Sequence, residues 1–220
     1  MFSEKIKSTW YFLVLWFCRT LCRIFFRLRY FGLENVPAQG PFVLASNHQS
    51  FLDPVFCSIF LKKRELYFMS RDTLFQNWFF GPLISSVKAI PVRRGQADIS
   101  SIKTIIAKLK LGFGVCLFPE ATRTTDGRIA DLKGGLALLS RRGNAPVIPV
   151  LIDGAFECWP RHRKLFKLGS RITVSYGQPI PVEKIKNMED DDFAKLLTST
   201  LRNMQSKTRQ NDAKQPFIYS

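Results

Sequence analysis

Phe42-Val-Leu-Ala-Ser-Asn-His-Gln-Ser-Phe-Leu-Asp-Pro54 is a stretch in which an apolar run passes into a polar loop and then reaches a proline. The apolar run, residues 42–46, predicts a short buried strand. Asp53-Pro54 predicts the start of a helix, with Asp53 as its cap and proline at the first helical position. His48 then lies in the connecting loop, where the end of a strand meets the start of a helix.

His48 and Asp53 could form a base and its orienting partner in this loop. The chain has only two histidines, so few side chains can exchange a proton near neutral pH. Five positions along a helix rotate by about 140°, so the two side chains can meet only in a folded loop. There Asp53 would accept from one ring nitrogen and leave the other as a base. On spacing alone, the simpler interpretation is that Asp53 caps the helix and His48 is an ordinary loop residue.

Polar residues also follow two further apolar runs. They are Glu120, Thr122 and Arg123 after the run 115–118, and Arg93 and Arg94 after the run 89–92. Open α/β sheets place ligand sites at the carboxyl ends of their strands. Taken alone, each group could instead be a solvated strand end or a loop ion pair.

Strand and helix patterns alternate along most of the chain. Strands are predicted at residues 42–46, 65–69, 88–92, 114–118, 147–152 and 171–176. Helices are predicted near residues 54–62, 72–81, 98–111 and 133–142, and a last helix is predicted after Asp190-Asp-Asp192, to about Arg202. This alternation predicts an α/β domain in which a mainly parallel sheet is covered by helices on both faces.

Four segments, in this order, resemble the motif blocks of the glycerolipid acyltransferase family, which includes the 1-acyl-sn-glycerol-3-phosphate acyltransferases. The segments are Asn47-His-x4-Asp53, Ala89-Ile-Pro-Val-Arg-Arg94, Phe118-Pro-Glu-Ala-Thr-Arg-Thr124 and Ala145-Pro-Val-Ile-Pro-Val150. The resemblance runs from about residue 32 to residue 182. Two positions depart from the family pattern: Ala121 stands where glycine is usual, and Arg93 stands where an acidic residue is common.

The resemblance implies an enzyme that moves a fatty acyl group from an acyl thioester to the free hydroxyl of lysophosphatidic acid, giving phosphatidic acid in phospholipid synthesis. It implies that His48 is the general base and that Asp53 orients it. Arg94, Glu120 and Arg123 match family positions, and the arginines there are associated with holding the phosphate of the acceptor.

The residues themselves fit this chemistry. The planar fork of arginine binds phosphate oxygens in pairs, so Arg93 joins the candidate substrate-binding residues. Thr122 joins them because it lies just past the end of a predicted strand. Lys133, followed by two glycines at a predicted helix start, could add charge and backbone donors. The thioester would come from coenzyme A or acyl carrier protein as a co-substrate, and no cofactor or metal is predicted.

Three alternatives remain open at this point. The first is an acyltransferase for another lysolipid, such as an amino-acid-containing one. The second is a non-catalytic protein that binds anionic membranes. The third and least favoured is a nucleic-acid-binding module, since no zinc-finger spacing or other nucleic-acid signature is present.

Composition points to a polyanionic partner. The chain has 220 residues, a net charge of +16 and a sequence pI near 10.0. Its 20 phenylalanines favour an anionic membrane surface over nucleic acid. Five cysteines without the spacing of a disulfide framework predict reduced thiols and a location at the cytoplasmic face of a membrane.

The N-terminal segment predicts the membrane contact. Residues 10–18 are uncharged and largely apolar, and Arg19, Arg23 and Arg27 then recur at every fourth position. The run is shorter than the roughly 20 residues of a spanning helix. We therefore predict an interfacial helix or helical hairpin over residues 1–31, an acyltransferase domain over 32–206 and a polar, frayed tail over 207–220. The alternatives for the first segment are a helix packed on the core of the protein and a single tilted span.

Overall fold

The computed structural model describes residues 2–61, 63–92 and 99–219, with side chains from residue 6 onward. Within these ranges, seven strands form one sheet: β1 (Arg27–Phe31), β2 (Phe42–Ser46), β3 (Leu66–Arg71), β4 (Ala89–Val92), β5 (Gly114–Leu117), β6 (Val147–Asp153) and β7 (Arg171–Tyr176). The helices of the same ranges are α1 (Phe2–Phe25), α2 (Asp53–Phe56), α3 (Asp72–Phe75), α4 (Phe80–Ser86), α5 (Ile99–Lys110), α6 (Leu136–Gly143), α7 (Ala155–Cys158), α8 (Val182–Lys186) and α9 (Asp190–Asn211).

The sheet has the strand order β1-β7-β6-β2-β5-β3-β4. Neighbouring strands are parallel except β6 and β7, so the predicted mainly parallel sheet is confirmed. β2 lies between β5 and β6, and the carboxyl ends of these three strands reach the same edge. That edge is where open α/β sheets bind ligands.

Helices cover both faces of the sheet, because the side chains of β2 alternate between two apolar cores. Phe42 and Leu44 join a core that contains buried residues of α1 and α2. Val43 and Ala45 join a second core that contains buried residues of α5, α6 and α9. A strand that is buried on both faces reads as a continuous apolar run, which is the pattern seen at 42–46.

Residues 27–31 form a strand, so the prediction of a helical segment over 1–31 is wrong at its end. β1 pairs in parallel with β7, and its side chains alternate between exposed and half-buried. Leu28 and Tyr30 pack against the first core. The arginine spacing hid this two-residue period because Arg27 fits a four-residue helical repeat equally well.

α1 itself has a buried side and an exposed apolar side. Tyr11, Leu15 and Cys22 are buried in the first core, as the alternative of a helix packed on the protein's own core requires. Among the described side chains of α1, the large apolar ones that are exposed are Ile6, Trp10, Leu13, Trp16, Phe17 and Ile24. Among the described residues, no helix has both the length and the hydropathy to cross a membrane.

The C-terminal region is more ordered than predicted. α9 extends to Asn211 and not to about Arg202, and the residues after it fold back onto the domain. Gln205 and Arg209 are buried on the inward side of α9, where they bind groups distant in the sequence. Because these inward residues are polar, the sequence pattern resembles a frayed tail.

The single helix predicted near residues 72–81 is replaced by two short helices, α3 (Asp72–Phe75) and α4 (Phe80–Ser86). The side-chain oxygen of Asn77 accepts hydrogen bonds from the backbone N–H groups of Phe79 and Phe80, at 3.0 and 2.9 Å. Asparagine used in this way ends one turn of helix and starts another. The connection between β3 and β4 is therefore kinked at Asn77.

Candidate active site

Asp53 organises the loop that follows β2. Its Oδ2 accepts hydrogen bonds from His48 Nδ1 at 2.8 Å and from the backbone N–H groups of Gln49 and Ser50, at 2.5 and 2.7 Å. These amides precede α2, and no side chain caps the helix, so the prediction that Asp53 is the helix cap is wrong. The carboxylate instead fixes residues 48–50, which we call the histidine loop.

The environment of Asp53 fixes the state of the imidazole. The side chain is fully buried, which raises the pKa of the carboxyl, and the hydrogen bonds from His48 and the two amides oppose that rise. Oδ1 of Asp53 has no hydrogen-bond partner among the described residues. Because Oδ2 binds Nδ1, the tautomer with a proton on Nδ1 is favoured, and Nε2 is left as an acceptor.

His48 lies at the wall of a cavity. Its ring stacks on Phe118, with 4.3 Å between ring centroids and 24° between planes. The side chain is 15% exposed, and His48 is among the residues that line a cavity of about 380 Å³. A ring held from one side by Asp53 and from one face by Phe118 has little rotational freedom.

Glu120 joins the loop after β5 to the histidine loop. Its Oε1 accepts a hydrogen bond from the backbone N–H of His48 at 2.8 Å, and its Oε2 accepts one from Ala130 at 3.3 Å. Burial raises the pKa of Glu120 to about 7. Backbone amides thus occupy both oxygens of a residue that the sequence assigns to substrate binding.

Arg123 lies on the same loop, with its guanidinium carbon 3.4 Å from the centroid of the Phe51 ring. The next residue, Thr124, donates its backbone N–H to the carbonyl oxygen of His48 at 2.8 Å. Thr122 is exposed at the turn. The structure therefore brings Arg123 beside the loop that carries His48 and Asp53.

Ala121 adopts a φ of +59°, in the left-handed region that favours glycine. It also lines the cavity. The departure from the family pattern at this position thus places one extra methyl group at the wall of the candidate site.

The cavity has an apolar part and a polar part. Its apolar lining includes Met69, Val92, Leu117, Leu136 and Leu139. Its polar lining includes His48, Ser70, Arg71 and Lys133. A cavity with both kinds of lining suits a ligand that has a hydrocarbon chain and an anionic group.

Lys133 is exposed and lies three residues before α6, so it precedes the helix and does not start it as predicted. Arg93 and Arg94 lie outside the described residues. Val92, which precedes them, lines the cavity at the carboxyl end of β4.

Sequence reasoning missed three residues of the site. Arg71 ends β3 beside the cavity, and the prediction ended that strand two residues too early. Phe118 supports the imidazole, and Phe51 lies under Arg123. Phe51 and Phe118 lie inside the recognised motifs, but nothing in their spacing distinguishes a supporting ring from a core residue.

Comparison with known proteins identifies similar chains. The profile of the acyltransferase family matches residues 27–153. A 1-acyl-sn-glycerol-3-phosphate acyltransferase of Bacillus subtilis is 29% identical over 189 residues, which are 84% of this chain and 92% of the relative. The enzyme of that name from Streptococcus pneumoniae is 28% identical, over 84% of this chain and 69% of its own. A chloroplast enzyme of that name from Arabidopsis thaliana is 32% identical, over 80% of this chain and 49% of its own.

A solved structure has the same fold. The 1-acyl-sn-glycerophosphate acyltransferase of Thermotoga maritima superposes with a TM-score of 0.81 at 21% identity, covering 97% of this chain and 84% of that one. At this identity the likeness concerns the arrangement of the sheet and its helices.

Proposed function

The chain belongs to the acyltransferase family, and from this premise we propose that it transfers a fatty acyl group from an acyl thioester to the free hydroxyl of lysophosphatidic acid, giving phosphatidic acid. The observation that carries the proposal is the His48–Asp53 contact at 2.8 Å beside a cavity with an apolar and a cationic part. The names of the relatives from Bacillus subtilis and Streptococcus pneumoniae support the choice of acceptor.

The reaction needs one base and one activated carbonyl. Nε2 of His48 takes the proton of the lysolipid hydroxyl as the hydroxyl oxygen attacks the thioester carbonyl carbon. The new C–O bond forms, the C–S bond breaks, and the imidazolium returns its proton to the leaving thiolate. Asp53 stabilises the imidazolium and keeps the ring in the productive orientation.

We assign the apolar part of the cavity to an acyl chain and the cationic residues to the phosphate. Lys133 and Arg71 line the cavity, and Arg123 lies over Phe51 in the loop that carries His48. The motif match adds Arg94 to this set, and we add Arg93 as its basic neighbour in the sequence. Glu120 acts as a positioning residue, because backbone amides occupy its oxygens.

An acceptor panel tests the proposal. The full chain is incubated with one labelled acyl group, carried on coenzyme A or on acyl carrier protein, and with lysophosphatidic acid, lysophosphatidylcholine or an amino-acid-containing lysolipid. We expect phosphatidic acid to form fastest. No phosphatidic acid with either donor, or a faster reaction with another acceptor, would overturn the assignment.

His48→Ala separates the base from the rest of the protein. We expect it to lower kcat by about 10²- to 10⁴-fold, the usual contribution of a general base. The matched control is His162→Ala, because His162 is the other histidine and is exposed. Equal activity of the two variants would exclude His48 as the base.

Lys133→Gln tests the cationic lining of the cavity. We expect the KM for lysophosphatidic acid to rise about tenfold with kcat little changed, because a charge that holds the phosphate binds ground state and transition state alike. Arg128→Gln is the control, since Arg128 is exposed and its one ion pair among the described residues, to Asp126, is at 3.8 Å. An unchanged KM would remove Lys133 from the site.

We also propose that the enzyme docks on the cytoplasmic face of an anionic membrane through the exposed side of α1. Arg19 donates to the carbonyl of Ile59 at 2.5 Å, and Arg19 and Arg23 both lie over the ring of Phe60. The exposed side of the helix is therefore dominated by large apolar side chains. An apolar helix face on a protein of net charge +16 fits the boundary between headgroups and acyl chains of an anionic bilayer.

Two glutamate substitutions test the docking surface. Ile24 on α1 and Leu111, which directly follows α5, are both 69% exposed. The helices α1 and α5 pack on opposite faces of the sheet. We expect Ile24→Glu to weaken binding to phosphatidic-acid-containing vesicles about fivefold, from one added charge near the surface. Leu111→Glu should have no effect, and equal loss in both variants would contradict docking through α1.

A further inference from the structure

The segment that follows Glu120 has no helix or strand of its own until α6 begins. We call residues 124–132 the site loop, because they lie between Arg123 and Lys133. A loop without regular structure needs outside contacts to hold its position. In this protein those contacts come largely from α9 and the residues after it.

Three side chains of α9 bind the backbone of the site loop. Gln205 donates to the carbonyl of Gly127 at 3.1 Å, and Arg202 donates to the carbonyl of Ile129 at 3.0 and 3.2 Å. Thr198 accepts from the N–H of Leu132 at 3.2 Å. α9 therefore binds the loop at three successive points.

Tyr219 adds a contact from the end of the chain. Its hydroxyl accepts a hydrogen bond from the N–H of Ile129 at 3.1 Å and donates to Oε1 of Gln205. The guanidinium carbon of Arg202 lies 4.4 Å from the centroid of the tyrosine ring. Tyr219 thus ties the loop and two residues of α9 into one unit.

The same loop reaches the histidine by two routes. In the first, the N–H of Ala130, next to Ile129, donates to Glu120, whose other oxygen accepts the N–H of His48. In the second, the side chain of Gln49 donates to the carbonyl of Gly127 at 3.4 Å, the same carbonyl that Gln205 binds. Gln49 and Gln205 are both 1% exposed, so water does not replace these bonds.

We propose that Tyr219, through Gln205 and the site loop, is a positioning residue that sets the placement of Glu120 and thereby of His48. The inference rests on the proposed acyltransferase function for its kinetic consequence. That Tyr219 holds the site loop and Glu120 in place is inferred from the hydrogen bonds alone. Tyr219, which follows α9, thus helps to hold the loop that carries His48.

Tyr219→Phe tests the proposal, because it removes the hydroxyl and keeps the ring over Arg202. We expect kcat to fall about three- to tenfold through misplacement of the base, with the KM for lysophosphatidic acid within twofold of the wild type. Glu120→Gln tests whether the effect passes through Glu120, the first of the two routes. If Tyr219 acts through Glu120, the effect of Tyr219→Phe should shrink in the Glu120→Gln background.

Tyr11→Phe is the matched control. The hydroxyl of Tyr11 also accepts a hydrogen bond from a backbone N–H, that of Leu66, at 3.1 Å. Leu66 begins β3, at the edge of the sheet opposite to the site. Tyr11→Phe should change thermal stability without lowering kcat, so an equal kcat loss in both variants would overturn the proposal, as would full kcat in Tyr219→Phe.

Hydrogen–deuterium exchange gives a readout that needs no activity. In Tyr219→Phe, exchange should rise in peptides covering residues 124–132 and 47–50, and in Tyr11→Phe it should not. Unchanged exchange in Tyr219→Phe would overturn the inference even if the wild type proved inactive. A wild type without transfer to any lysolipid would instead refute the proposed function, so the two failures are distinguishable.

Discussion

His48 and Asp53 have distinct parts in the proposed mechanism, in which His48 takes the proton and Asp53 orients the imidazole through the contact at 2.8 Å. The carboxylate accepts three hydrogen bonds through a single oxygen, and only one of them comes from the imidazole. The two backbone amides therefore keep the carboxylate in place while His48 gains and loses a proton. Because Asp53 does not cap α2, replacing it changes the imidazole without removing a helix cap.

Asp53→Asn should be folded and nearly inactive. An amide oxygen still accepts from Gln49 and Ser50, but it cannot stabilise an imidazolium as a carboxylate does. We expect kcat to fall by about 10²- to 10⁴-fold with the melting temperature changed by only a few degrees. Asp192→Asn is the control, since Asp192 is exposed in the first turn of α9. Turnover of Asp53→Asn within threefold of wild type would remove Asp53 from the mechanism.

Ala121 offers a test of backbone strain at the cavity. An alanine at φ +59° costs about 1 kcal/mol or more relative to glycine, which outweighs the extra freedom of glycine in the unfolded chain. We expect Ala121→Gly to keep or raise the free energy of unfolding in urea. Ala107→Gly, at an exposed position inside α5, should lower it by about 1 kcal/mol. A loss of similar size at both positions would show that Ala121 is unstrained.

At the scale of elements, α1 is a structural helix with a second surface, and its leucines can show this. Leu15 is 7% exposed and Leu13 is 54% exposed, on the same helix. Leu15→Ala should lower the free energy of unfolding by about 2–5 kcal/mol, and Leu13→Ala by less than about 0.5 kcal/mol. Chemical denaturation of both variants measures the difference. If α1 were an anchor that does not contribute to the core, both substitutions would lower the free energy of unfolding by equally small amounts.

The same scale shows what the sequence could and could not predict. Six strands were predicted because apolar runs and motif positions coincide, and β2 with its two buried faces is the clearest case. β1 was missed because its partner, β7, lies about 140 residues away in the chain. The end of α9 was missed because the partners of Gln205 and Arg209 are distant in sequence.

In the candidate site too, contacts between residues close in sequence were predicted and contacts between distant residues were not. Local motifs predicted the contact between His48 and Asp53, which are five residues apart. No local signal predicted that Glu120 binds the backbone of His48, or that Arg71 reaches the cavity, because both depend on how β2, β3 and β5 lie side by side. Tertiary contacts of this kind are absent from any window of sequence.

For the whole molecule, the buried carboxyls predict an unusual dependence of stability on pH. The pKa of Glu120 is about 7 in the folded protein, against an ordinary value of 4.5. Between these values the folded state keeps a proton that the unfolded state has released. The free energy of unfolding therefore falls as pH rises through this window. Asp53, whose pKa burial also raises, contributes with the same sign.

Glu120→Gln isolates this effect from the charge of the whole chain. With 33 basic and 17 acidic side chains, the protein gains net positive charge as pH falls, and the added repulsion lowers stability at low pH. That repulsion is common to the wild type and the variant, so it cancels in the difference between their free energies of unfolding. From pH 4.5 to pH 7.5, we expect the wild type to lose about 3 kcal/mol relative to the variant, as measured by urea denaturation at each pH. Parallel curves would mean that the pKa of Glu120 is the same in the folded and the unfolded protein, so that burial does not raise it.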